Sequence, residues 1–281
     1  VGPCYSIDAA CASSLAALHA CVTTLQNGRE CEDGVTIGTK VLSEAANYAT
    51  SIGGMTSARG RCHTFDQRAD GYCRGEGCGS IALKRDVGEW AALSLPGSTV
   101  RQDGRSASLT APSGPAQKAL LIAAMVEGAI SADELGLIET HGTGTALGDP
   151  IEAGSLGGAV LSNRDASAGS LAVGGVKANI GHAEPAAGMT GLLKLAVGMK
   201  ALDAAPNAQL RVMNPLVLSS VEGTTAALAT QLGGLNTATR SGGVSSFGYS
   251  GTIAHAILSR DDTGSEPATS DMPGGGYKRK Q

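Results

Sequence analysis

Strand-like and helix-like segments alternate along most of this 281-residue chain, and three of the junctions between them are tight, small-residue or glycine-rich turns carrying a reactive side chain. That alternation constrains the fold more than any other feature, because strands linked through crossover helices pack as an α/β domain with much parallel sheet. Residues 12–26 repeat Leu15, Leu18, Val22 and Leu25 at three- and four-residue spacing and stop at Asn27 and Gly28, so they read as a helix. Strands are expected over 34–42 and 77–84, on either side of an irregular stretch, 43–76, long enough to carry function. A helix over 116–126 enters through Ser113, Gly114 and Pro115, with proline where a first turn tolerates it. The pattern continues as strand 137–140, helix 151–161, strand 171–176, helix 189–201 and a closing hairpin of 243–246 with 252–258. The three reactive junctions fall at 7–11, 138–141 and 173–182, with no stricter internal repeat.

Composition narrows the class. Only eight residues are aromatic (Phe 2, Tyr 5, Trp 1), against 41 glycines. A core so poor in rings must be packed from Ala, Leu, Val and Ile with backbones in close approach, which suits layered α/β structure better than an all-β sandwich. A net charge of −4 leaves no electrostatic footprint for nucleic acid. The longest apolar stretch, 119–126, is too short to span a bilayer, so no membrane association is expected. Seven cysteines, all in the first third, include no Cys-x-x-Cys pair. Metal-ligand spacing is therefore absent, a disulfide framework is not expected, and most of the seven read as small reduced core residues. From Ser259 the composition turns to Asp, Thr, Gly, Ser and Pro with terminal Lys and Arg, so 259–281 reads as a disordered linker after a domain of 1–258. The chain opens at Val1 with no methionine before Met55, which reads as a piece of a longer protein. Compartment is not fixed by the sequence; a cytoplasmic or plastid setting, rather than secretion, is the default.

Cys11 follows a short extended stretch, 5–8, and opens the helix expected from residue 12. A thiol there meets the positive end of the helix dipole, which favours the thiolate and lowers the pKa, and Ala9, Ala10 and Ala12 leave room for a sharp strand-to-helix bend. This is the logic of a nucleophile elbow with sulfur in place of oxygen. Taken alone, such a cysteine is more often a structural core residue. His141 stands in the run Glu139 to Thr145 (ETHGTGT), with Gly148, Asp149, Pro150 and Glu152 just beyond. A dinucleotide fingerprint is the obvious rival there, and it fails on glycine spacing and on context. His182 ends the run Lys177 to His182 (KANIGH), with Glu184 after it; Lys177 and His182 could meet across a tight turn. His19 and His63 read as surface or structural, and His255 as a strand histidine. One cysteine with two histidines in glycine-rich turns suits an acyl thioester plus a second bound carbonyl whose developing charge needs two donors.

These motifs resemble the ketosynthase (β-ketoacyl synthase) domain of type I polyketide and fatty-acid synthases. The resemblance runs from Val1 to about Leu258 and rests on several segments in the right order. They are Asp8 to His19 (DAACASSLAALH), Phe65 and Asp66 with Ala69 to Gly77 (ADGYCRGEG), Gln102 to Arg105 (QDGR), Leu109 to Gln117 (LTAPSGPAQ), the His141 and His182 runs, and Val244 to Thr252 (VSSFGYSGT). The resemblance implies a thiolase-like layered α-β-α-β-α sandwich whose first half is incomplete here, with a substantial segment ahead of Val1 in family members. It implies that Cys11 accepts an acyl chain from an acyl carrier protein, and that a malonyl-type extender then decarboxylates and condenses with it. His141 and His182 would hold the extender carbonyl, and Lys177 would order the site. The amides of Cys11 and Tyr249 would form the oxyanion hole, and Thr143 and Thr145 would line a phosphopantetheine channel. It implies acyl carrier protein as partner, a homodimer in the full-length form, and no bound metal or organic cofactor, the substrates arriving on phosphopantetheine.

The chain departs from the family pattern in places. Ala9 and Ala12 replace a threonine and a serine, Thr39 and Lys40 replace a usual Gly-Val, and Ile253 stands where asparagine is usual, while Tyr249 occupies a variable gate position. Arg29 looks inserted, and the stretch after Arg85 is shortened. The other reading carried forward is a catalytically inactive remnant acting as a docking or dimerisation surface. A thiolase-type or chalcone-synthase-like enzyme acting on coenzyme A esters fits the second histidine motif less well, and a cysteine at position 11 argues against a decarboxylase-only loading domain.

Overall fold

The computed structural model describes residues 2–28, 31–85, 93–106, 108, 111–236 and 238–260. The first helix, α1 (Ser13–Asn27), starts directly after Cys11 and Ala12 and buries Leu15, Leu18, Val22 and Leu25, the residues whose spacing predicts it. Strands β1 (Asp33–Lys40) and β2 (Gly77–Lys84) pair antiparallel, from Asp33 opposite Lys84 to Lys40 opposite Gly77. Along β1 the inward positions are Thr36, Gly38 and Lys40, whereas Val35 and Ile37 on the outer face stay 65% and 60% exposed. The stretch 43–76 is not wholly irregular, because it opens with α2 (Glu44–Ile52). Ser43 caps that helix by accepting the Ala46 N–H at 3.4 Å, with Glu44 in the first turn. Ala45, Tyr48, Ala49 and Ile52 recur along it at helical spacing, yet no residue of α2 is buried, and Tyr48 and Ile52 stay exposed.

Strand β3 (Ser94–Gln102) is not anticipated from the sequence; it contains Pro96 and Gly97, residue types that strands disfavour. It tolerates the proline because it lies at the edge of the main sheet. There Gly97 passes so close to the next helix, α3 (Gly114–Glu127), that a β-carbon would sit 2.4 Å from the Ala124 carbonyl oxygen. The remaining elements are β4 (Leu135–Glu139), α4 (Gly148–Ala159), β5 (Leu171–Gly174), α5 (Lys177–Ile180), α6 (Ala187–Ala201), β6 (Asp203–Ala204), α7 (Pro215–Val221), β7 (Ala226–Ala227), β8 (Gly233–Gly234), β9 (Ser241–Phe247) and β10 (Thr252–Ser259). The main sheet has six strands in the order β3-β10-β9-β4-β5-β7. Its β9, β4, β5 and β7 run parallel, and β10 is antiparallel to both β9 and β3. The closing hairpin is therefore present, with β10 extending through Ser259, the first residue expected in the linker. Arg260 is described as well, and residues 261–281, the remainder of that expected linker, lie outside the described residues.

Two cores sandwich this sheet. On one face Leu121, Met125, Leu156, Val217 and Val221 of α3, α4 and α7 pack against Ile138, Val173 and Ile257. On the other, Leu15 and Leu18 of α1 and Met189, Leu192, Leu195 and Met199 of α6 pack against Leu137, Val244 and Ala256. The β1–β2 ribbon then covers the α1–α6 layer from the far side, with Ile81 and Leu83 against the second core. Successive layers are thus helices, six-stranded sheet, helices and two-stranded ribbon, four layers of the expected five. No helix among the described residues covers the ribbon's outer face. Residues 5–8, expected to be extended, run without a strand partner. The parallel strands β4 and β5 end on the same side of the sheet, at the α1–α6 seam, and this brings the three reactive junctions together.

Candidate active site

Cys11 sits on a bend that the backbone forms only under constraint. Ala10 has φ +50°, a left-handed conformation unfavourable for a residue with a β-carbon. Three short side chains hold it there. Asp8 accepts the Ala10 N–H at 3.1 Å, Ser13 accepts the Ala9 N–H at 2.9 Å and donates to the Ala10 carbonyl at 2.6 Å, and Ser246 donates to the Cys11 carbonyl at 2.6 Å. The turn after β9 presses on the same bend, so closely that a β-carbon at Gly248 would lie 2.5 Å from the Ala9 oxygen. The expected lowering of the thiol pKa is corrected by the geometry. Cys11 is two residues ahead of α1 and buried, and burial pushes its thiol up to about 11. The Lys177 charge and the N–H groups of Tyr249 and Cys11 oppose that rise without cancelling it. Below such a pKa the thiolate fraction grows about tenfold per pH unit. Alkylation of Cys11 by iodoacetamide is therefore expected to accelerate by about that factor per unit from pH 7 to 9; a plateau starting near pH 7 would contradict this electrostatic account.

His141 follows β4 on a turn in which Gly142 and Gly144 take φ +45° and +76°. Two carboxylates of α4 shape that turn. Glu152 accepts the His141 and Gly142 N–H groups at 2.6 and 2.8 Å, and Asp149 accepts those of Gly144 and Phe65 at 3.0 and 2.8 Å. Burial pushes Glu152 up to about 7 and Asp149 up to about 6, with the N–H donors pulling each back. The sequence marks both acids only as neighbours of His141, because nothing local shows that a carboxylate 11 residues on reaches back to its amide.

Lys177 opens the short α5 and His182 follows it, beyond the C-cap Gly181 with φ +80°. There a β-carbon would also come within 3.1 Å of the Cys73 oxygen. The His182 N–H donates to the Cys73 carbonyl at 2.7 Å, Gly75 returns a bond to the His182 carbonyl at 2.9 Å, and the Tyr72 ring stands edge-on 4.9 Å from the imidazole. Residues 72–75 of the stretch expected to carry function thus frame this histidine. Lys177 is buried, which lowers its pKa, while the charges of Glu139 and Glu152 support its protonated form. Glu139 is itself held by Lys194 at 2.6 Å.

The three junctions converge. The Cys11 sulfur and one ring nitrogen from each of His141 and His182 all lie within 4.8 Å of one another, and His182 Nε2 is 3.0 Å from Cys11 Sγ. The far nitrogen of each ring decides what the near one can do. His141 Nδ1 accepts the Phe247 N–H at 3.2 Å, and His182 Nδ1 accepts the Glu184 N–H at 3.3 Å. Each neutral imidazole therefore carries its proton on Nε2, which faces the thiol. Burial, Lys177 and neighbouring cations hold both rings well below the usual histidine pKa, so the neutral form prevails. A Cys-His-His set at this spacing could otherwise ligate a metal. Metal-bound imidazoles donate through their far nitrogen, however, and here both far nitrogens accept. The set fits two hydrogen-bond donors beside a sulfur better than a metal centre.

A cavity of about 440 Å³ opens onto this cluster. Thr143 and Thr145 line it with Tyr72, Phe247 and Tyr249; the two threonine hydroxyls are 3.2 Å apart, and Tyr249 is 57% exposed. All seven residues singled out from the sequence therefore gather here, Lys177 behind the wall and the others on it. Ile253 packs in a small apolar group with Leu120 and Phe247, filling the space beneath the gate turn with hydrocarbon. The other histidines lie elsewhere in structural settings: His19 bonds Ser98, His255 bonds Ser245, and His63 is buried rather than on the surface. The seven cysteines are free thiols, but most are not core residues as expected: besides Cys11 only Cys62 is buried, Cys21, Cys31 and Cys73 are half-buried, and Cys4 and Cys78 are exposed.

Residues 1–87 match the family described as "Beta-ketoacyl synthase, N-terminal domain", and residues 93–211 match "Beta-ketoacyl synthase, C-terminal domain". Among curated relatives, one subunit of the phenolphthiocerol/phthiocerol polyketide synthase of Mycobacterium tuberculosis is 42% identical across 97% of this chain, and another subunit of that synthase is 38% identical across 92%. The chain spans 13% and 14% of their lengths. Among solved structures, the ketosynthase from module 6 of the bacillaene synthase of Bacillus subtilis 168 superposes with a TM-score of 0.87 at 32% identity, covering 93% of this chain and 47% of that one. An oxazolomycin ketosynthase domain from Streptomyces albus gives 0.85 at 32% identity, with 92% and 47% covered.

Proposed function

Because this chain belongs to the β-ketoacyl synthase family, as a ketosynthase domain of the polyketide synthase type with a thiolase-like fold, we propose that it joins acyl units by decarboxylative Claisen condensation. The observation that carries the reading is the locked tautomer of both histidines, which aims two Nε2–H donors at the space in front of the Cys11 sulfur. Such donors stabilise negative charge developing on a carbonyl oxygen, and neutral imidazoles do so without quenching it.

In the first half-reaction the Cys11 sulfur attacks the carbonyl of an acyl thioester on an acyl carrier protein. The oxyanion formed is held by the Cys11 and Tyr249 amides, the same groups that lower the thiol pKa. The carrier thiol leaves with the proton that Cys11 gave up, and the acyl group stays on Cys11. A malonyl-type thioester then enters, its phosphopantetheine arm passing Thr143 and Thr145 and its carbonyl oxygen between His141 and His182. The bond to the carboxylate breaks, carbon dioxide departs, and the electron pair becomes an enolate on that oxygen. The enolate carbon attacks the Cys11 thioester, the carbon–sulfur bond breaks, and the β-ketoacyl product remains on the carrier. Lys177 adds positive charge behind both rings, which keeps them neutral and favours a thiolate leaving group. This chemistry needs no resident metal or organic cofactor. Carrier protein and a second copy of the domain are the proposed partners.

The test is product formation. Protein acylated at Cys11 and given a malonyl-carrier thioester is expected to release one carbon dioxide per β-ketoacyl product. Acylated, folded protein that yields neither would favour the inactive remnant instead.

A further inference from the structure

The last residue of β1, Lys40, stands on the strand's inward face, where a lysine needs a partner. Its Nζ lies 2.6 Å from Glu184 Oε2, with the two side chains only 18% and 13% exposed. Arg74 grips the same carboxylate with two bonds, Nε to Oε1 at 2.5 Å and Nη2 to Oε2 at 2.9 Å. Glu184 is thus clamped from two elements. Its backbone has φ +42°, a left-handed conformation costly for glutamate, and its N–H is the donor to His182 Nδ1. The doubly gripped side chain ties that backbone to Lys40 and Arg74.

We infer that Lys40 is a positioning residue for His182: with Arg74 it clamps Glu184 so that the Glu184 N–H keeps the imidazole proton on Nε2, facing Cys11. The inference rests on the condensing role given to His182, and it places a determinant of that role on the β1–β2 ribbon. The charges around His182 support it. Burial, Lys177 of α5, Arg74 and Lys40 all hold the imidazole neutral, the facing acid Glu184 is kept ionised by the Arg74 and Lys40 clamp, and uncharged Cys11, His141 and Tyr72 complete the surroundings. Loss of Lys40 removes one cation and leaves Glu184 less compensated, so both changes favour the imidazolium.

The readout is ¹⁵N NMR of the ring nitrogens in histidine-labelled full chain, with His182→Gln assigning the signals, for wild type, Lys40→Met and Lys40→Arg. Wild type is expected to show a neutral Nε2–H tautomer. Lys40→Met should show tautomer mixing and a titration midpoint about half a unit or more higher, and Lys40→Arg should return both to wild type. In parallel, Lys40→Met should slow condensation about tenfold while acylation of Cys11 changes less than about twofold. Unchanged His182 signals in Lys40→Met would overturn the inference, as would equal losses in both steps without a change at His182. If wild type acylates but never condenses while the His182 signals still move, the positioning role stands and the condensing role falls.

Discussion

His182→Ala is expected to leave acylation of Cys11 within a fewfold of wild type while slowing condensation by about 10²–10³-fold, the usual cost of losing one preorganised donor to a developing oxyanion. The two steps separate because they use different donors. In the proposed mechanism the acyl oxyanion is held by the backbone amides of Cys11 and Tyr249, which the substitution does not touch. In that proposal the enolate oxygen depends on the Nε2–H groups of His141 and His182, whose tautomers are set by bonds from Phe247 and Glu184. Single-turnover measurement of each step, with the acyl-enzyme preloaded for the second, gives the split. His141→Ala should show the same pattern, since its ring meets His182 nearly perpendicular at a centroid distance of 5.5 Å and aims at the same space. Equal losses in both steps would mean that the imidazoles serve Cys11 as a general base and not the extender.

Glu152→Ala is expected to destabilise the fold by about 2–6 kcal/mol, because it strips the acceptor from two buried N–H groups, His141 and Gly142, at about 1–3 kcal/mol each. It also removes one of the charges that support buried Lys177. Denaturant unfolding followed by circular dichroism measures the loss, and a change under about 1 kcal/mol would show that the turn stands without it. Its pH dependence follows from the raised pKa. A carboxyl whose folded pKa lies above its unfolded value contributes stability that is present below the unfolded value, 4.5, and is lost as pH rises through about 7. Wild type should therefore lose stability from this group between those limits. Glu152→Gln, which cannot ionise and keeps one acceptor oxygen, should lose less than alanine and flatten that part of the profile.

The elements that carry the site were legible because their signals are local. The spacing of Leu15, Leu18, Val22 and Leu25 gives α1, and the glycines at 142, 144 and 181 mark turns that their positive φ values require. What stayed hidden depends on contacts distant in sequence. β3 carries no legible strand signal, and only its place at the edge of the sheet accommodates Pro96. The carboxylates of Glu152 and Asp149 are only sequence neighbours of His141 until they are seen accepting the amides of the histidine turn. Position at a helix start argues for a lowered Cys11 pKa, and burial between two packed layers, which no local motif encodes, reverses the sign. Lys40 is the same lesson at single-residue scale. Its inward register follows from strand alternation, yet its partner lies 144 positions away.

The most direct test of a thiol-centred acyl transfer site is intact-mass measurement of the folded chain after exposure to a short acyl-carrier thioester, beside Cys11→Ala. One acyl group added to wild type, mapped to Cys11 and absent from Cys11→Ala, is the predicted result, even though six other thiols are present and two of them are exposed. Acylation spread over Cys4 and Cys78, or none at all in folded protein, would contradict it.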